Sequence, residues 1–128
     1  PDLLTRKAEK LIAAADVVFH DALVGPGVLD LVPAGTERVS VGKRSGRHSK
    51  AQGSINDLLL AAAMSGKRVV RLKGGDPSIF GRSTEEMDHL ARQGVSVRIC
   101  PGITTASAAA ANAEASLTLR GVARGLTL

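Results

Sequence analysis

The sequence predicts an α/β fold, a mostly parallel sheet flanked by helices. Two observations carry this expectation. Short apolar runs alternate with helix-period segments along the chain, as they do when crossover helices cover a parallel sheet. In addition, residues 67–82 (KRVVRLKGGDPSIFGR) pass from an apolar run through Gly74-Gly75-Asp76-Pro77 toward a helix start, which reads as strand, glycine-rich turn, helix. In open parallel sheets the crevice outside the carboxyl ends of the strands is where ligands bind. The 128 residues carry no internal repeat or low-complexity tract, and they fit one domain or one lobe of a longer protein.

The elements follow from periodicity and punctuation. Leu3, Leu4, Ala8, Leu11 and Ile12 recur at helical spacing and predict a helix over 3–14. Residues 15–19 (ADVVF) predict the first buried strand, ending at His20-Asp21. Residues 26–32 predict a short helix or turn, and 37–41 a second strand, which runs into Gly42-Lys43-Arg44. Ser49 with Gln52 has the spacing of a capping box and opens a helix through Ile55, Leu58, Leu59 and Ala62 to Met64, stopping near Gly66. A strand at 68–72 and the diglycine turn come next. Ser83 with Glu86 offers a second capping box for a helix ending at Gly94. A strand over 95–99, an alanine-rich helix over 104–114 and one more short strand in the tail complete the expectation. Both ends read as unfinished: the chain opens on a helix without a preceding strand and closes on GLTL.

Composition limits the partners. With 44% hydrophobic residues a packed core is affordable, and no apolar run reaches transmembrane length. No secretory signal opens the chain, so a cytoplasmic protein is expected. The net charge of +5 suits an anionic partner, either nucleic acid or a polycarboxylate or phosphorylated metabolite. Without Trp or Tyr there is little for bases to stack on, which disfavours nucleic acid. Cys100 is single, paired-His motifs are absent, and no metal site is expected. The order G-x-x-x-x-G-K-[ST] is missing, as is G-x-G-x-x-G, so neither a P-loop nor a dinucleotide site is supported.

Four turns should converge, because each follows a strand of one parallel sheet and leaves the same edge. They are His20-Asp21, Gly42-Lys43-Arg44, Gly74-Gly75-Asp76 and the segment Pro101-Gly102-Ile103-Thr104-Thr105. Together they bring a carboxylate, several cations, a glycine bend and two hydroxyls, a set suited to a polar anionic substrate beside a nucleoside-type cofactor. On composition alone, Ile79 and Phe80 read as core.

Several long motifs, in one register, resemble the uroporphyrinogen-III C-methyltransferases of the tetrapyrrole methylase family, which also form the methyltransferase module of siroheme synthase. They are Val41-Gly42-Lys43-Arg44-x-Gly46-x-His48-Ser49-x-x-Gln52, residues 66–82, Pro101-Gly102-Ile103-Thr104-x-Ala106 and Leu117-Thr118-x-Arg120. Related precorrin methyltransferases share parts of the pattern. The resemblance implies a two-lobed α/β enzyme, a homodimer, with S-adenosylmethionine bound between the lobes. These residues would be its N-terminal lobe, with the family's first strand and glycine-rich turn before Pro1 and a second lobe after Leu128. The implied reaction methylates uroporphyrinogen III at C-2 and then C-7, giving precorrin-2 and S-adenosylhomocysteine. By the same match Asp21 takes the proton-acceptor position and Lys43 the proton-donor position. Gly74, Gly75, Asp76, Ile79, Thr104 and Thr105 fall at cofactor positions, and Arg44, Arg47 and His48 face the substrate carboxylates. No nucleic acid, membrane or metal partner is implied.

Overall fold

The central strand of the sheet is β1 (Val17–His20), which pairs in parallel with β2 (Glu37–Ser40) on one side and β3 (Val69–Leu72) on the other. This computed structural model describes residues 1–42 and 52–128. Five helices accompany the strands among the described residues: α1 (Arg6–Ala13), α2 (Pro26–Leu29), α3 (Gln52–Met64), α4 (Ser83–Arg92) and α5 (Thr105–Asn112). Val17 stands between Glu37 and Val69, and His20 between Ser40 and Leu72.

A strand with neighbours on both edges and helices on both faces must be apolar throughout, and Val17-Val18-Phe19 meets that demand. Its alternation splits the core in two. Val18 faces Ile12, Ala15, Val24, Val32 and Leu72, beneath α1 and α2. Val17 and Phe19 face Val41, Ile55, Leu59 and Leu90, beneath α3 and α4. Full burial of a Val or Phe side chain stabilises by about 1.5–3 kcal/mol, so β1 anchors both layers.

The helix ends have identifiable causes. Thr5 caps α1 by accepting the Ala8 N–H at 3.1 Å, which places the start after Leu3 and Leu4 rather than on them. Gly66, at φ +85°, follows α3 where the sequence expects its stop. Gly94, at φ +78°, ends α4, with the Val95 N–H on the Leu90 carbonyl and the Gly94 N–H on the Ala91 carbonyl.

Three expectations need correction. Ser83 is the first residue of α4, not its cap. The capping position belongs to Arg82 in a left-handed conformation, Ser83 Oγ donates to the Pro77 carbonyl, and Glu86 is drawn away by two cations. Residues 95–99 belong to no strand, although Val95 and Val97 pack against the second core cluster. A strand needs a ladder partner, and β3 is the sheet's edge among the described residues. In the tail, a turn closed by an isolated antiparallel bridge between Leu119 and Ala123 replaces the expected strand. The Ser49 capping box lies outside the described residues.

The order β2-β1-β3 fixes where a ligand can sit. From β1 the chain passes through α2 to β2 on one side, and from β2 it passes through α3 to β3 on the other. The turns that leave β1 and β3 therefore part from adjacent strands, the arrangement that opens a crevice at the carboxyl edge. The end of β2 is pressed into the same edge: a Cβ added to Gly42 would lie 2.1 Å from the Ala22 nitrogen and 2.7 Å from the Asp21 carbonyl carbon. Gly42→Ala should lower stability by about 3 kcal/mol, the upper end of overpacking costs, because backbone cannot yield cheaply. Gly35→Ala, with nothing near its added Cβ, should stay within about 0.5 kcal/mol of wild type. Urea unfolding midpoints of the two variants check this.

Candidate functional site at the carboxyl edge of the sheet

A cavity of about 630 Å³ opens at that edge. Asp21, Gly74, Gly75, Asp76, Ile79, Thr104 and Thr105 all line it. Asp21 follows β1, the diglycine turn follows β3, and the two threonines begin α5. One rim of the sheet thus gathers them.

The turns meet backbone on backbone. A Cβ on Gly102 would stand 2.3 Å from the Gly75 carbonyl oxygen, and one on Gly74 would stand 3.6 Å from the Leu23 carbonyl oxygen. Gly75 sits at φ +69°, where an L side chain is strained, and a Cβ there would lie 3.4 Å from Thr105 Oγ1. The floor between β3 and α5 is consequently bare backbone. Thr104 occupies the capping position of α5, yet its side chain makes no capping bond.

Asp76 is shaped as an anionic contact. Its Oδ1 accepts the Ser78 Oγ–H at 2.7 Å and the Ser78 N–H at 2.9 Å. These bonds, with a lesser one from the Gly102 amide, hold its carboxyl below the usual carboxylate range. The residue is partly buried and its carboxyl is ionised at neutral pH.

Asp21 differs. Its Oδ2 lies 3.9 Å from Arg71 Nη2, whereas its buried Oδ1 has no hydrogen-bond partner among the described residues. A carboxylate oxygen without a donor is poised to take one, from a substrate N–H or as a proton acceptor.

Sequence reasoning missed the charged groups behind the cavity. Glu86, 5% exposed, accepts from Arg71 Nε at 3.3 Å and Lys73 Nζ at 3.2 Å. Lys73 Nζ also donates to the Gly81 carbonyl. Two signals were present: a charge inside an otherwise apolar strand, and a carboxylate one turn before the buried Leu90 on the core face of α4. Ile79 and Phe80 are not core. Ile79 is partly buried in the cavity wall, and Phe80, at φ +55°, is 85% exposed beside it.

Lys43, Arg44, Arg47 and His48 lie outside the described residues. Among the described residues, no group of His, Cys, Asp and Glu could hold a metal ion, and no helix is long and apolar enough to cross a membrane.

The donor set fits S-adenosylmethionine. Side-chain-free backbone at Gly74–Gly75 leaves room for close approach, the ionised Asp76 suits ribose hydroxyls or an ammonium, and Ile79, Leu23 and Phe80 offer apolar surface.

A family model for the Tetrapyrrole (Corrin/Porphyrin) Methylases matches residues 1–127. The chain is 53% identical over 127 residues to siroheme synthase 1 of Yersinia enterocolitica, covering 99% of this chain and 27% of that protein. It is 51% identical over 123 residues to the chloroplastic S-adenosyl-L-methionine-dependent uroporphyrinogen III methyltransferase of Arabidopsis thaliana, covering 96% of this chain and 33% of that one. The structure superposes with a TM-score of 0.80 on uroporphyrin-III C-methyltransferase of Thermus thermophilus complexed with S-adenosylhomocysteine, at 44% identity, over 98% of this chain and 51% of that one. The chain therefore spans about a third or less of these curated relatives and about half of the solved one. A family match running from Pro1 to Thr127, on a sheet whose strand-end turns share one cavity, makes this chain a member of the tetrapyrrole (corrin/porphyrin) methylases.

Proposed function

We propose that residues 1–128 are the N-terminal lobe of a uroporphyrinogen-III C-methyltransferase. The whole enzyme methylates uroporphyrinogen III at C-2 and C-7 with S-adenosylmethionine, giving precorrin-2 and S-adenosylhomocysteine. One observation carries the reading: Asp21, whose Oδ1 has no hydrogen-bond partner among the described residues, shares a cavity with a glycine-walled turn that bears an ionised Asp76.

S-adenosylmethionine supplies an electrophilic methyl on a cationic sulfur. Gly74 and Gly75 admit it against bare backbone, and Asp76 with Thr104 and Thr105 orients its polar parts. Ile79 walls the apolar side. A pyrrole carbon that has gained a methyl carries positive charge and must lose a proton, which Asp21 accepts. Lys43 acts as the proton donor. Its support is the resemblance together with Gly42, its chain neighbour, packed on the Asp21–Ala22 peptide. Arg44, Arg47 and His48 pair with substrate carboxylates, where charge-assisted bonds are strong.

The lobe reading has its own support. A groove of about 790 Å³ runs between the outer edge of β3 and residues 95–99, walled by Val70, Leu72, Val97, Ile99, Leu4 and Leu11. An exposed apolar strand edge is a pairing site. We assign the groove to the extended strand that the resemblance places before Pro1. The complete enzyme is a cytoplasmic homodimer that binds no nucleic acid, a reading that rests on the resemblance and is checked by sedimentation and by retention on RNA at low salt.

With the full-length protein, uroporphyrinogen III and S-adenosylmethionine should yield a dimethylated product by mass spectrometry. Absence of that product, with turnover of a later precorrin instead, would assign a sister activity. Asp21→Ala should lower kcat by roughly 10²–10⁴-fold with little change in S-adenosylhomocysteine affinity, whereas Asp76→Ala should weaken that affinity far more than turnover.

The pH dependence of the Asp76 contact has a definite sign. A carboxyl held below its ordinary value contributes fully above that value and loses its contribution as pH falls through the lowered one. The ratio of wild-type to Asp76→Ala affinity for S-adenosylhomocysteine, measured by calorimetry, should be flat above the ordinary carboxylate value of 3.8 and fall only at pH below it.

For the groove, a chain extended to include the preceding strand should protect the β3 amides from hydrogen exchange far longer than residues 1–128 alone. Equal protection in both would leave the groove without its assigned occupant.

A further inference from the structure

Glu86 sits outside the cavity but touches both parts of its machinery. Its Oε1 receives Arg71 Nε at 3.3 Å and Lys73 Nζ at 3.2 Å, and all three side chains are largely withdrawn from water. Arg71 and Lys73 are alternate residues at the end of β3, so both project from the same face of the sheet toward α4, which carries Glu86. Each cation then reaches a different functional element. Arg71 presents Nη2 to Asp21 Oδ2 at 3.9 Å. Lys73 donates to the Gly81 carbonyl and so fastens the far end of the turn that begins at Gly74.

That turn needs fastening. Phe80 and Arg82 are both non-glycine residues at positive φ, and the turn bears Asp76 and Ile79 between its ends. Residues in such conformations persist where the surroundings over-determine them. Asp21 likewise leans on a fixed counter-charge: Arg71 Nη2 lies 3.9 Å from its Oδ2, while its buried Oδ1 has no hydrogen-bond partner among the described residues.

We infer that Glu86 is a positioning residue that acts through Arg71 on the proton acceptor Asp21 and through Lys73 on the cofactor turn. One buried carboxylate thereby sets the distance between the proton-accepting group and the methyl-donor cradle. Charge favours this role over simple packing: two cations and two carboxylates form one balanced cluster that runs from Glu86, behind the cavity, to Asp21, Arg71 and Lys73 in its wall. The inference rests on the functional reading above, and its test separates the two.

The test uses the full-length enzyme, with kcat for methyl transfer and calorimetric affinity for S-adenosylhomocysteine as separate readouts. Arg71→Met should lower kcat by roughly 10²-fold, the scale of a small misplacement of a reacting group, with affinity for S-adenosylhomocysteine within about threefold of wild type. Lys73→Met should weaken that affinity by about tenfold or more and leave kcat at saturation largely intact. Glu86→Gln should show both losses, and adding it to Arg71→Met should cost less than about threefold further in kcat. A packing role predicts a fully additive loss instead. Wild-type kcat and affinity in Glu86→Gln, or additive losses, overturn the inference while leaving the functional reading intact. Should Glu86→Gln not fold, the two cation variants decide: the same readout moving in both overturns it, and the stated split supports it. A wild-type enzyme that neither binds S-adenosylhomocysteine nor methylates uroporphyrinogen III removes both readings.

Discussion

Close approach of backbone to backbone at the carboxyl edge of the sheet is the constraint on which the rest of the structure depends. Gly42 lies on the Asp21–Ala22 peptide, Gly102 lies on Gly75, and Gly74 faces Leu23. Two of these contacts leave no room for a Cβ. The loops after β1, β2 and β3 and the segment before α5 are thereby tied to one another without side chains between them. Functional groups are then displayed from a fixed frame rather than from independent loops, which is what orientation-dependent chemistry requires.

That frame explains the unusual share of buried charge beside it. Charges are withdrawn from water only at a cost, which falls when each is paired and hydrogen-bonded. Lys73, Arg71 and Glu86 satisfy this together, and Asp21 completes the balance at longer range. Hydrophobic residues of the same volume would pack as well and could be more stable. What they would lack is a directional hold on the diglycine turn and on the acidic group. By contrast, the exposed Arg82–Glu85 pair at 2.8 Å, although shorter, stays in solvent, where screening leaves it little net effect.

The sequence made much of the fold legible where one segment carried its own signal. Val17-Val18-Phe19 is apolar on both faces because a central strand must be, and α3 shows its buried stripe at Ile55 and Leu59. The convergence of Asp21 with Gly74–Asp76 also followed, since parallel strands deliver their turns to one edge, whereas Thr104 and Thr105 reach the same cavity without a strand before them. Failures came where the outcome depends on something elsewhere in the chain. Residues 95–99 alternate Val95, Ser96, Val97, Arg98 like a strand, but alternation does not supply a ladder. Ser83 and Glu86 have the spacing of a capping box. Two cations on β3, invisible to local pattern, compete for the Glu86 carboxylate and win because a buried charge pair outweighs one capping bond. Phe80 reads as core from its apolarity, yet it sits at φ +55° and stays 85% exposed at the cavity's edge.

The same distinction separates the two cavities. The one at the strand ends is lined by groups with opposite demands: an ionised Asp76, a partly unbonded Asp21, hydroxyls and bare glycine backbone. Leu23, Ile79 and Phe80 add apolar surface beside those groups, so an occupant with both polar and apolar parts fits it. The groove beside β3 has Val70, Leu72, Val97 and Ile99 in its wall, and β3 is the sheet's edge among the described residues. A small polar ligand would gain little there, whereas an extended apolar segment would satisfy edge amides and carbonyls and bury side chains on both faces. Such a segment would also emerge at the carboxyl edge beside the diglycine turn, because a strand parallel to β3 ends where β3 ends. A segment seated there would add a further turn to the rim that holds Asp21 and Asp76.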